Sequence, residues 1–119
     1  MLRFRILVVA AAVAALTVTA LSEAAAPPKL AGDVGPGFTI GMKRFNKKLT
    51  TLKAGRYTVT VSDKSSIHNF HLKGPGLNKE ITTVGFVGTK TVIVTLKKGK
   101  YNFVCDPHFT SMKGSFTVT

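Results

Sequence analysis

The chain has 119 residues, enough for one small domain, and carries a formal net charge of +12 with a single cysteine and no tryptophan. One cysteine excludes an internal disulfide framework, and so few histidines (three) exclude a multinuclear catalytic metal cluster. The positive charge favours acidic partners or anionic surfaces, but there is no recognition helix and no aromatic-studded platform for nucleic acid.

The N-terminus opens with the basic lead "MLRFR" and the apolar run "ILVVAAAVAALTVTAL", followed by the small residues of "SEAAAPP". That order reads as a signal peptide over residues 1–24, cut after Ala24 or alternatively after Ala26. The apolar core is shorter than the roughly 20 residues of a comfortable membrane span, and an uncleaved anchor is the alternative. Either way the remainder is expected outside the cytoplasm, in a periplasm, cell envelope or extracellular space. Residues 25–37, rich in Ala, Pro and Gly, read as a flexible tether, and residues 38–119 as the folded domain.

Within the domain the signals are β. "FTIGM" begins an edge strand and "NKKLTTLKAG" supplies a short one before a glycine turn. "RYTVTVSD" alternates, with Tyr57, Val59 and Val61 on one face. "SIHNFHLKG" is a further strand, and "GLNKEITTVGFVG" reads mainly as loop, with a short strand as the alternative. "TKTVIVTLKKG" alternates through Val92, Val94 and Leu96, and "KYNFVC" sets Tyr101, Phe103 and Cys105 on a common face. "KGSFTVT" closes the chain with Phe116 and Val118 inward. Short strands divided by Gly, Pro and Lys turns predict an all-β, antiparallel Greek-key β-sandwich of about seven to eight strands.

The chemistry gathers in "FVCDPHFTSM". A lone thiol in an oxidising compartment is vulnerable to cross-linking and oxidation, and coordination to a metal both uses and protects it. Cys105, His108 and Met112 put a thiolate, an imidazole and a thioether on one turn shaped by Pro107. In "SIHNFHL" a period of two separates His68, Phe70 and Leu72 from Asn69 and His71. If Phe70 and Leu72 fill the core, His68 can reach the same point, whereas His71 belongs to the other face. Two imidazoles, one thiolate and a weak axial thioether are the donor set of a blue-copper electron-transfer centre. Zinc accepts the same cage, but a thioether is a poor choice for a dedicated zinc site. Met42 reads as structural, and Asp106 as a brace for the loop.

With those residues the chain resembles the cupredoxin family, and within it the small plastocyanin- and amicyanin-like proteins. His68-Asn69 matches the family's first ligand and its neighbouring asparagine; "YNFVCDPH" matches the last core strand running into the cysteine and second histidine; Met112 matches the axial methionine. The resemblance covers roughly Phe38 to Thr119. The His108–Met112 spacing is intermediate between the longer plastocyanin and shorter amicyanin loops. The resemblance implies one type 1 copper ion held by His68, Cys105, His108 and Met112, with Asn69 bracing the cysteine loop. It further implies a monomeric, non-enzymatic carrier cycling between Cu(I) and Cu(II), with redox proteins as donor and acceptor. His108 would be the exit for the electron, with Phe109 and Leu77 candidates for an apolar docking rim and lysines steering acidic partners. The competing function is a copper-binding or delivery module, disfavoured because only Met42 and Met112 would remain after leader cleavage. Membrane association would come only from an uncleaved leader or peripheral charge attraction.

Overall fold

The computed structural model of the chain describes residues 9–20 and 25–119. The expected signal peptide therefore falls in part, at residues 1–8 and 21–24, outside the described residues; residues 9–20 carry no helix or strand. Among the described residues no helix is long and apolar enough to cross a membrane.

Among the described residues ten strands follow in chain order: β1 (Lys29–Val34), β2 (Ile40–Arg44), β3 (Lys47–Lys48), β4 (Thr51–Leu52), β5 (Gly55–Asp63), β6 (Phe70–Gly74), β7 (Leu77–Thr82), β8 (Gly88–Leu96), β9 (Gly99–Val104) and β10 (Lys113–Val118). They form two five-stranded sheets, ordered β3-β2-β1-β5-β8 and β4-β10-β9-β6-β7. The all-β sandwich expected from the sequence is the observed architecture. Most neighbours are antiparallel, while β1 runs parallel to β5 and β4 parallel to β10. The strand count exceeds the expected seven to eight because "NKKLTTLKAG" splits into two-residue strands on different sheets, and because β1 and β7 also form.

Alternation explains which faces meet. Tyr57, Val59 and Val61 of β5 are buried, as are Tyr101 and Phe103 of β9 and Phe116 and Val118 of β10. Phe70 and Phe103 stack at 5.7 Å between centroids, joining adjacent strands β6 and β9 in the core. Met42 is buried there too.

Three expectations need correction. The stretch 25–37 is not a tether throughout, because Lys29–Val34 forms an interior strand between β2 and β5. Its inward positions are Leu30, Gly32 and Val34, a period of two hidden by its Ala/Gly composition. Gly32 has a packing reason: a Cβ there would meet Val61 at 3.0 Å and the Phe70 ring at 3.1 Å. "FTIGM" contributes to β2, which lies between β1 and β3 rather than at an edge. "GLNKEITTVGFVG" contains a full strand, β7, whose outward Asn and Lys residues masked its pattern.

Antiparallel pairing of β6 with β9 sets His71 opposite Val104 and Leu72 opposite Phe103. The residues just before β6 and just after β9 therefore meet at one end of the sandwich. His68 and Cys105 occupy those positions.

Candidate metal centre

Cys105 ends the inward face of β9 and is fully buried. Beyond it Pro107 sits in the first positions of a 3₁₀ turn, Asp106–His108, for which Cys105 in extended geometry is the N-cap. The His108 N–H donates to the Cys105 carbonyl (3.1 Å), the Met112 N–H to the His108 carbonyl (2.8 Å), and the Cys105 N–H to the Met112 carbonyl (3.0 Å). The loop is thus closed on itself by backbone bonds before β10 begins. Met112 is buried within it.

His68 approaches from the β5–β6 connection, buried to 1% exposure. Parity along a strand is not what turns it inward, since β6 starts only at Phe70. Its Nε2 lies 2.8 Å from the Gly37 carbonyl. A carbonyl only accepts, so Nε2 carries a proton and Nδ1 is the nitrogen turned toward the site. That Nδ1 lies 3.6 Å from Cys105 Sγ and 3.1 Å from His108 Nδ1, and His108 Nδ1 lies 3.6 Å from the same sulfur. A triangle with those sides has its centre about 2.0 Å from every corner, the length of a metal–imidazole bond and a few tenths short of a metal–thiolate bond. The donor set and its spacing fit one soft-to-borderline metal ion.

Asn69, also buried, clasps the loop at two points: its Oδ1 accepts from the Asp106 N–H (2.7 Å) and its Nδ2 donates to Asp106 Oδ2 (2.7 Å). The same carboxylate oxygen meets His71 Nδ1 at 2.8 Å, and Lys73 stands 3.8 Å from the other oxygen. Partial burial opposes ionisation of Asp106, but the Asn69 and His71 hydrogen bonds, with the charges of His71 and Lys73, outweigh it and hold the carboxyl below its usual range. His71 also contacts the Asn78 side chain. With its two nitrogens on Asp106 and Asn78, the ring ties β6 and β7 to the loop. His71, Glu80 and Asp106 converge as a second group of donors within 4.8 Å. There the Asp106 oxygen is already taken by Asn69 and His71, and the Lys73 ammonium repels a cation.

His108 is half-buried. Phe38 packs edge-on to both imidazoles, 5.3 Å from the His68 ring and 4.9 Å from the His108 ring, while remaining 63% exposed. Sequence reasoning missed Gly37 and Phe38. The available signal was "GPG" at Gly35–Gly37, where both glycines take φ of 70° and return the chain across the site. Phe109 is likewise exposed beside His108. Leu77 does not join this rim. It pairs with Gly74 at the far end of β6, partly buried against the core, so the "GPGL" hairpin lies at the opposite end of the strand from His68.

A two-sheet sandwich closed at one end by a Cys/His/His centre is the architecture of a small mononuclear copper protein, and the His68, Cys105 and His108 cluster matches a type 1 copper site. The family model for copper binding proteins of the plastocyanin/azurin family matches residues 34–119. The chain belongs to that family. A comparison with curated proteins gives no match. Among solved structures, a methionine-to-glutamine variant of rusticyanin is similar at 23% identity over 76% of each chain, with a TM-score of 0.56. Auracyanin A, a "blue" copper protein from the green thermophilic photosynthetic bacterium Chloroflexus aurantiacus, is 19% identical over 79% of this chain and 100% of its own, with a TM-score of 0.56. A tryptophan-to-tyrosine variant of reduced amicyanin is 20% identical over 80% and 86%, with a TM-score of 0.50. At these identities the likeness is one of fold.

Proposed function

We propose that the protein is an exported one-electron carrier in which His68, Cys105 and His108 would hold a single copper ion and Met112 would supply a weak thioether donor. The observation that carries this reading is the triangle of Sγ and two Nδ1 atoms, whose centre is at bonding distance from both imidazole nitrogens and within a few tenths of an ångström of it from the sulfur. Bound copper would supply a Cu(I)/Cu(II) couple suited to this mixed soft and borderline donor set. The chain's own residues do the rest. The Gly37 carbonyl fixes the His68 tautomer, and the closed backbone ring of the loop together with the Asn69 clasp keeps the donors in place as charge changes. Little movement then accompanies each transfer. The half-buried His108, between the exposed Phe38 and Phe109, gives the electron its exit. Redox proteins with acidic docking surfaces are the proposed partners.

Copper delivery is the weaker reading, because His68 and Cys105 are no more than 1% exposed and a delivery site must release its metal to a partner. A redox titration tests the proposal. Copper-loaded protein should take up one electron per chain reversibly, and Met112→Leu should raise the potential without abolishing binding. Copper that exchanges readily to chelators and does not cycle would favour delivery.

A further inference from the structure

The outer face of the second sheet carries a groove of about 500 Å³ lined by Lys73, Lys100, Asn102, Val104, Phe109 and Lys113 together with Gly114 and Ser115. Its three lysines come from three adjacent strands, β6, β9 and β10. The register explains the arrangement: Lys73 is opposite Asn102, Ser115 is opposite Asn102, and Lys113 is opposite Val104. The floor is short and neutral, and the walls are cationic. Asp106 is the carboxylate at its edge, and it is engaged by Asn69, His71 and Lys73. Lys100 and Lys113 have no ion pair among the described residues.

The groove also adjoins the metal centre through the chain itself. Val104 in its floor precedes Cys105, and Phe109 in its wall follows His108. Another lysine-bearing groove, lined by Lys29, Lys43 and Phe45 on the first sheet, has no such connection to the site. Resting on the electron-carrier reading, we propose that the β6–β9–β10 groove is where the redox partner docks, and that the partner presents a cluster of ionised carboxylates to Lys73, Lys100 and Lys113 while an apolar part of its surface meets Phe109. Exposed ammonium–carboxylate pairs are individually weak and screened by salt, so the contact steers and orients without holding. A carrier that must leave after each electron needs such a contact.

A hexaglutamate peptide serves as the probe for the unidentified partner. Titrated at low ionic strength into the isotope-labelled, reduced copper protein, it should shift the amides of Lys73, Lys100, Asn102, Val104, Phe109 and Lys113. The shifts should vanish near 1 M salt, where the screening length is about 3 Å. The triple change of Lys73, Lys100 and Lys113 to Gln should weaken binding about tenfold, and the control triple change of Lys43, Lys47 and Lys48 less than about twofold. The groove variant should also slow oxidation of the reduced protein by anionic hexacyanoferrate(III) while keeping the parent spectrum. Shifts spread over both sheets, equal weakening by the control, or an unchanged hexacyanoferrate rate would overturn the proposal. Failure of the carrier reading is separately visible: the protein would lack a reversible couple while the peptide still mapped to the groove.

Discussion

The second sheet ends in two different ways, and the contrast separates what holds this fold from what it is for. At one end Tyr101 is buried, stacked on Phe116 at 5.5 Å, and its hydroxyl donates to the Pro75 carbonyl (2.6 Å) while accepting from the Lys97 N–H (2.9 Å). Its ring fills the space a Cβ would take on Gly74. The buried Tyr101 hydroxyl is thus satisfied inside the chain. At the other end Cys105 Sγ and the Nδ1 atoms of His68 and His108 lie within 3.6 Å of one another, with Gly37 and Asn69 orienting groups just behind them. One end is complete as folded. The other presents donor atoms that a bound ion would tie together.

Changes at the two ends should therefore behave differently. The largest effect is expected from copper itself: at a thousandfold excess over the dissociation constant, binding to the folded state alone contributes about 4 kcal/mol. Thermal melts should rise strongly on copper addition in the parent protein and far less in Cys105→Ser; an equal rise in both would mean that copper binds elsewhere. Next is Gly74→Ala, where the new methyl carbon would lie 2.2 Å from the Tyr101 ring. Overpacking of this kind costs up to about 3 kcal/mol, read as a lower urea midpoint, with the copper spectrum of the folded protein unchanged.

Asn69→Ala should have a smaller effect on stability but a direct one on the site. It removes the acceptor for the Asp106 N–H, at a cost of about 1–3 kcal/mol, and frees the loop that carries Cys105. Copper affinity should fall by about 10- to 100-fold, the usual result of losing a group that orients metal ligands. His71→Ala should cost about 1 kcal/mol and leave the colour intact, because its ring nitrogens bond Asp106 and Asn78 rather than joining the triangle. Loss of colour would show that His71 positions the ligands.

The smallest expected effect is a pH slope. The carboxyl of Asp106 is held below its usual range in the folded chain, so its contribution is present above the unfolded value of about 3.9 and is lost as pH falls through the lower folded value. In urea melts of the metal-free protein, Asp106→Asn should flatten that acid-side loss. An unchanged slope would place it on other carboxylates.

How legible these ends were follows from how local their determinants are. Alternation marks β5 and β9 because side-chain parity is written residue by residue. The loop from Cys105 to Met112 is a single short segment, so its donors can be recognised together. β1 was obscured because Ala and Gly fill positions where composition suggests looseness, although Gly32 is there to admit Val61 and Phe70. The Gly37 carbonyl and Phe38 come from a turn distant in sequence, and only the folded chain brings them to His68 and His108. Leu77 lies away from the docking rim for a related reason. Parity tells which face a residue occupies, but the sheet register decides which end.

The visible absorption spectrum of the copper-loaded, oxidised protein tests the central claim most directly. Charge transfer from the Cys105 thiolate to copper held with His68 and His108 predicts an intense visible band at one copper per chain, absent from Cys105→Ser. A copper-loaded protein with only weak ligand-field absorption, or an intense band that survives in Cys105→Ser, would contradict it.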